Sequence, residues 1–236
     1  MKFELKRVGE WSYYHVPEIE ERGIVHGFFT KESPAPLLQG REKETFLRAF
    51  SLEDAIVMRQ EHGDAVHVVR DGERPLVGDG LILLKKGVAG VIKTADCLPI
   101  IIADPFCPMT SIVHAGWRGT VRKITRKTVQ TMAGLGAKRG RMVALLGPSI
   151  NACCYRVGED VYKEFMDAGF SENAFRHTGD SLFLSLRQAN RELLESEGVR
   201  YISDADLCTF CTAERFHSFR RGETDKRQIN FVSLNE

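Results

Sequence analysis

Nowhere in the 236 residues is there an apolar run near the roughly 20 that a helix needs to cross a bilayer. The first stretch, "MKFELKRVGEWSYYHVPE", also lacks the continuous apolar segment of a secretory signal. A cytoplasmic protein with no membrane partner is the expectation. Charge of one sign is missing too. Lys and Arg number 33 and Asp and Glu 32, so the net charge of +1 gives no global attraction to nucleic acid. Cysteines are few, six in all, which excludes a disulfide scaffold and fits free thiols in a reducing compartment. There is no internal repeat and no low-complexity linker, so one domain over residues 1–236 is expected.

What is present is a 43% apolar composition, enough at this length to bury a substantial core. Residues 28–42, "FFTKESPAPLLQGRE", read as a loop, and residues 43–50 as a short helix. "AIVMRQEH" and "AVHVVRD" read as strands around a hairpin-like turn at Gly63–Asp64. "DGLILL", "GVAGVIKTA", "LPIIIAD" and "TSIVHA" follow as Val- and Ile-rich strands. Residues 118–135 predict a continuous helix, with Val121, Ile124, Thr128 and Met132 on one stripe. "RMVALLGPSI" returns to strand, and "GEDVYKEFMDAG" is a helix ending at Gly169. "SLFLSLRQANRELLESEG" reads as a longer helix, and the tail "FHSFRRGETDKRQINFVSL" as a closing hairpin. Strands crowd the first half and helices the second, which points to an α+β or layered α/β domain.

Three residues stand where strand candidates reach loops: His62 before Gly63, Cys97 before Leu98–Pro99, and His114 before Ala115–Gly116. They are 35 and 17 residues apart, so no local metal motif joins them, and only the fold can. Three readings are open. The residues could pack; Cys97 could be a nucleophile with His114 as its base; or all three could hold a metal. Two imidazoles and a thiolate suit Zn²⁺ and leave one coordination position open. His62 discriminates, because a dyad has no use for a second histidine. Asp96 faces away from Cys97 in a regular strand, which leaves it a supporting or proton-carrying role, or that of a plain turn carboxylate. Arg118 opens the expected basic helix, where an arginine and free N–H groups suit a phosphate or carboxylate. A solvated charge is the equal alternative. Arg59 has the strand parity opposite to His62.

The remaining cysteines are Cys107, the adjacent Cys153 and Cys154, and the spaced pair Cys208 and Cys211. Four cysteines in two close pairs suggest a structural zinc. Neighbouring side chains diverge in regular backbone, however, so buried inert thiols are the favoured reading.

"RQEHGDAV", "KTADCLPIIIADP", "SIVHAGWRGT", "LGPSINACCYRVGEDV" and "CTFCTAERFHSFRRGETDKRQ", in this order, resemble the landmarks of the YfiH-type family. Its members have been called laccase-domain or polyphenol oxidoreductase proteins, and more recently purine nucleoside phosphorylases. The resemblance runs from about Ile24 to the C-terminus. It implies a layered α/β/β/α domain with mixed sheets and one Zn²⁺ per chain, held by His62, Cys97 and His114. The implied reactions are phosphorolysis of adenosine, inosine, guanosine and methylthioadenosine, together with adenosine deamination. The partners are then a purine nucleoside and phosphate, for a monomer or small homo-oligomer.

Copper-dependent phenol oxidation is the older assignment, but seven histidines are too few for several copper sites, so copper is disfavoured. Under this reading Asp96, Cys97 and Arg118 are the candidate catalytic residues, and Arg59, Arg118, Ser218, Arg220 and Arg221 the candidate substrate contacts. One departure stands out. The family's Ser-Leu-Asn-Leu element is absent from "KESPAPLLQGREK", which leaves the substrate range open. A cysteine hydrolase or deamidase and a non-enzymatic zinc or nucleoside-binding protein remain the alternatives.

Overall fold

Strands made of unbroken Val and Ile runs need cover on both faces. The computed structural model, which describes residues 1–34, 40–70 and 76–235, supplies it with two stacked sheets and outer helices. In chain order the elements begin β1 (Glu4–Val8), β2 (Trp11–His15), α1 (Pro17–Glu20), β3 (Ile24–Phe29), α2 (Gly40–Ala49), β4 (Asp54–Val57) and β5 (Val66–Val69). Next come β6 (Gly80–Leu83), β7 (Val88–Thr94), β8 (Leu98–Asp104), β9 (Met109–Ala115), α3 (Trp117–Val121), α4 (Ile124–Gly134) and β10 (Val143–Leu146). The chain closes with β11 (Arg156–Val157), α5 (Glu159–Asp167), β12 (Phe175–Thr178), β13 (Ser181–Leu184), α6 (Leu186–Ser196), β14 (Tyr201–Asp204) and β15 (Gln228–Leu234).

One six-stranded sheet has the order β1-β2-β3-β15-β7-β4 and the other β14-β10-β8-β9-β6-β5; β11, β13 and β12 make a small third sheet. Phe28, Leu81, Ile92, Ile101, Ile112 and Val232 fill the space between the two large sheets. Period-two alternation sends their strand neighbours outward. Trp11, Phe29 and Phe231 thus meet Phe46 of α2. Leu98, Ile100 and Ile102 meet Ile124, Val129 and Met132 of α4 and Leu194 of α6. The result is the expected α/β/β/α layering with mixed sheets. Each fully buried Phe, Leu or Ile here contributes about 1.5–3 kcal/mol of transfer free energy.

Several local expectations change. The loop read over 28–42 overlaps the end of β3 and the start of α2, while residues 35–39 lie outside the described residues. The Gly63–Asp64 turn makes no hairpin, because β4 pairs in parallel with β7 and β5 in parallel with β6, in different sheets. The helix expected over 118–135 breaks into α3 and α4 at Lys123, whose φ is 62°. The break lets one amide grip both pieces: Asn190 donates to Thr120 Oγ1 at 3.0 Å, and Thr125 donates to Asn190 Oδ1 at 2.6 Å.

The long helix read from Ser181 is strand β13 up to Leu184, because Ser185 caps α6 by accepting from the Gln188 N–H at 3.1 Å. The tail is no hairpin either. β15 is buried along its whole length between β3 and β7. The β1–β2 hairpin was not anticipated; Gly9, at φ 57°, makes its turn.

Candidate metal centre and active site

Strand register brings the candidate ligands together. β8 and β9 are antiparallel, with Leu98 opposite Ala115 and Pro99 opposite His114, so Cys97 meets the end of β9. β6 lies on the other side of β9, with Gly80 opposite Val113. Asp79, just before β6, therefore sits beside His114. Asp79 also gathers the loop after β4, accepting the N–H groups of Glu61 at 3.3 Å, His62 at 3.1 Å and Gly63 at 2.7 Å. The His62 backbone is left-handed there, at φ 59°. Such a conformation persists in a non-glycine residue only where its surroundings impose it.

The ligand atoms of His62, Cys97 and His114 all lie within 4.8 Å of one another. The two imidazole rings have centroids 4.9 Å apart and planes at 79°. His114 is buried, Cys97 half-buried and His62 exposed, so the cluster opens to solvent on the His62 side. Gly116 lets the centre close up. A Cβ there would lie 3.1 Å from Cys97 Sγ and 3.4 Å from His62 Cδ2.

His114 Nδ1 is 2.6 Å from Asp79 Oδ1, which directs the other ring nitrogen toward the cluster. Burial pushes the Cys97 thiol up, but the charge and hydrogen bond of His114, followed by those of His62, outweigh it and bring the pKa down to about 6. Burial likewise pulls His114 down, yet the Cys97 thiolate and the Asp79 carboxylate lift it to about 9. The site thus favours a thiolate, the form that binds metal. One sulfur and two imidazole nitrogens with a carboxylate behind one imidazole fit a transition-metal ion.

The other expected residues divide. Asp96 has a left-handed backbone, at φ 88°. It accepts from Thr209 Oγ1 at 2.7 Å, Ser218 Oγ at 3.0 Å and the Arg220 N–H at 2.8 Å. Ser218 is fully buried in that task. Arg221 is committed internally as well, to the carbonyls of Thr209, Phe210 and Phe216 and to Glu223. Both side chains thus brace the 209–223 segment from within.

Arg118 is exposed, with its guanidinium 4.5 Å from the Trp117 ring centroid. The helix it heads has only five residues, so the strong dipole expected of a long helix is absent. Arg220 is exposed over the Tyr155 ring at 4.8 Å. Arg59 is exposed, and its backbone bridges to Val77.

Asp79, Gly116, Tyr155 and Thr209 were missed. Burial, then the negative charges of Cys97 and Asp96, push the Tyr155 phenol well up, so it stays a neutral O–H beside the centre. Only Asp79 carried a legible signal, a carboxylate between two glycines at the head of an apolar strand. The expectation that Cys153, Cys154, Cys208 and Cys211 are buried holds for Cys208 and fails for Cys153 and Cys211, which are exposed. The sulfurs of all four lie within 4.8 Å of one another.

A family model described as multi-copper polyphenol oxidoreductase laccase matches residues 27–235. A Deinococcus radiodurans protein named purine nucleoside phosphorylase is 37% identical over 198 residues, 83% of this chain and 76% of its own. A protein named adenosine deaminase RL5, from an unknown prokaryotic organism, is 35% identical over 186 residues, 72% and 71% of the two chains. The crystal structure of Bacillus licheniformis YfiH superposes with a TM-score of 0.87 at 25% identity, over 99% of both chains. The sequence motifs, the layered fold and these matches agree, and the chain belongs to the multi-copper polyphenol oxidoreductase laccase family, that of the YfiH-type proteins.

Proposed function

We propose that the chain is a zinc-dependent purine nucleoside phosphorylase, with His62, Cys97 and His114 as the metal ligands. The observation that carries this is the convergence of those three side chains before the buried Asp79 carboxylate. Relatives named purine nucleoside phosphorylase support the substrate class. Adenosine, inosine, guanosine and methylthioadenosine are the nucleosides it would take.

Zinc suits a mixed nitrogen and sulfur set with an open position, and it brings no redox chemistry. A multicopper oxidase needs more ligands. The chain has seven histidines, and this centre gathers two of them. Bound here, the ion supplies Lewis acidity toward a substrate oxygen or nitrogen.

The chain's own groups account for the rest. In phosphorolysis the C1′–N9 bond breaks with its electron pair passing to the purine, a phosphate oxygen bonds to C1′, and the purine gains a proton. Arg118 and Arg220 are the groups that hold the phosphate. Both are exposed, and both lend positive charge to the surroundings of Tyr155, which also feels the Cys97 thiolate. Arg59 adds a further cation on the segment leading to His62. Tyr155, kept neutral, is a hydrogen-bond donor. Asp96 acts as a positioning group. It holds the 209–220 wall against the segment that carries Cys97.

Adenosine incubated with and without phosphate, with separation of the products, tests this reading. Adenine plus ribose 1-phosphate, formed only with phosphate, supports it. Inosine formed without phosphate supports adenosine deamination, which the relative named adenosine deaminase also suggests. No turnover of any of the four nucleosides favours a binding protein. A second reading, a cysteine hydrolase, draws on the Cys97 and His114 pair, at about 6 and about 9. His62 inside the cluster argues against it, and a metal-free active protein would establish it.

A further inference from the structure

The second cluster lies on loops that leave two parallel neighbours, β10 and β14, at their C-terminal ends. Parallel pairing makes those loops emerge side by side, and they are stitched together by backbone bonds. The Ser149 N–H donates to Leu207 O at 3.2 Å, and the Thr209 N–H donates to Ser149 O at 3.1 Å. A tight turn follows in each loop, with the Tyr155 N–H bonded to Asn151 O and the Thr212 N–H to Cys208 O, both at 2.9 Å. The first turn reverses the divergence expected of neighbouring side chains, so Cys153 and Cys154 both face the second loop.

The sulfur separations are informative. Cys153 to Cys208 and Cys153 to Cys211 are 3.6 Å, and Cys154 to Cys211 is 3.3 Å. All four sulfurs lie within 4.8 Å of one another. A disulfide would bring one pair to about 2.05 Å and would not require the other two sulfurs. Four thiolates around a zinc ion at about 2.3 Å stand at tetrahedral corners about 3.8 Å apart. The observed spacings resemble that edge. The Asn151 N–H also points at Cys208 Sγ, at 3.5 Å, the kind of outer hydrogen bond that steadies a metal-bound thiolate. Exposed Cys153 and Cys211 leave an entry path for an ion, and two exposed cysteines side by side are otherwise poorly suited to a protein surface.

We propose that Cys153, Cys154, Cys208 and Cys211 hold a structural Zn²⁺, separate from the ion at His62, Cys97 and His114. Binding displaces four thiol protons, leaves a tetrathiolate of net charge −2, and involves no electron transfer. The site is closed, with all four positions filled by protein, so its role is mechanical. It clips the 151–155 loop to the 208–211 loop. Thr209, inside that second loop, donates to Asp96, the neighbour of Cys97. The clip therefore fixes one wall of the candidate active site.

The test is zinc content per chain, by elemental analysis of protein purified without chelator. With both sites filled, wild type carries two ions, Cys97→Ala one, Cys211→Ser one, and the double variant none. The clip is wrong if Cys97→Ala is folded and free of zinc, if the ion found is iron, or if intact mass shows a disulfide in the freshly purified protein. Should Cys211→Ser fail to fold, cobalt substitution of Cys97→Ala decides. A strong thiolate-to-cobalt charge-transfer band is expected, and its absence overturns the proposal. The two sites fail differently. If only the clip is real, wild type carries one ion that Cys97→Ala keeps; if only the active centre is real, Cys97→Ala removes it.

Discussion

Asp79 Oδ1 lies 2.6 Å from His114 Nδ1, and Asp79 is fully buried. The same carboxylate takes three N–H groups of the loop that carries His62. One residue thus anchors the Nδ1 side of one candidate ligand and the backbone of another. Asp79→Asn keeps the shape and removes the charge. It should cost about 10–100-fold in metal affinity, the usual effect of losing such an outer partner. Competition against a chromophoric chelator measures this, and unchanged affinity would contradict the role assigned to Asp79.

Gly116 should tolerate no side chain. The methyl of Gly116→Ala would press on Cys97 Sγ at 3.1 Å and on the His62 ring at 3.4 Å. The expected outcome is a folded protein with reduced metal occupancy, read by circular dichroism and metal analysis together. Full occupancy would show that the cluster has slack.

Thr209→Val preserves volume but strips one donor from the buried Asp96 carboxylate. Ser218→Ala removes a second. Thr209→Val should destabilise by about 1–3 kcal/mol, because Oδ1 loses its donor, and Ser218→Ala should cost less, because Oδ2 keeps the Arg220 N–H. Urea unfolding midpoints report it; a Thr209→Val loss well below that range would mean that Asp96 is less tightly held.

His26 gives a pH dependence. It is buried, its Nε2 accepts the Val16 N–H at 3.0 Å, and its Nδ1 lies 2.9 Å from Ile24 O. Burial pulls its pKa from 6.5 to about 4. The unfolded chain takes up the proton more readily, so this stabilisation is complete above pH 6.5 and erodes as the pH falls toward about 4. At about 1.4 kcal/mol per pH unit, the loss attributable to His26 reaches about 3 kcal/mol. Unfolding curves between pH 7 and pH 4.5 should show a slope that His26→Gln largely removes. An unchanged slope would assign the acid sensitivity to other groups.

Much of the layering was legible, because apolar strands written without polar alternation require cover on both faces. Cys97 and His114 were legible as residues at strand ends, whereas His62, read as the end of a strand, lies in the loop after β4. Their convergence was not, since separations of 35 and 17 residues close only through the register of β6, β9 and β8. Asp79 and Thr209 were missed because a supporting hydrogen bond leaves no spacing pattern. Cys153 and Cys154 misled for a different reason. Divergence of neighbours holds in extended backbone, and here a turn brings both sulfurs to one side. The expected closing hairpin failed because β15 pairs on both sides with strands more than a hundred residues earlier in the chain.

The central claim is that the His62, Cys97 and His114 centre binds metal and cleaves purine nucleosides with phosphate. The most direct measurement compares adenine release from adenosine by wild type and by folded Cys97→Ala, each with and without phosphate. Phosphate-dependent release by wild type, lost in Cys97→Ala together with one equivalent of metal, is the predicted result. Undiminished release by Cys97→Ala would contradict it.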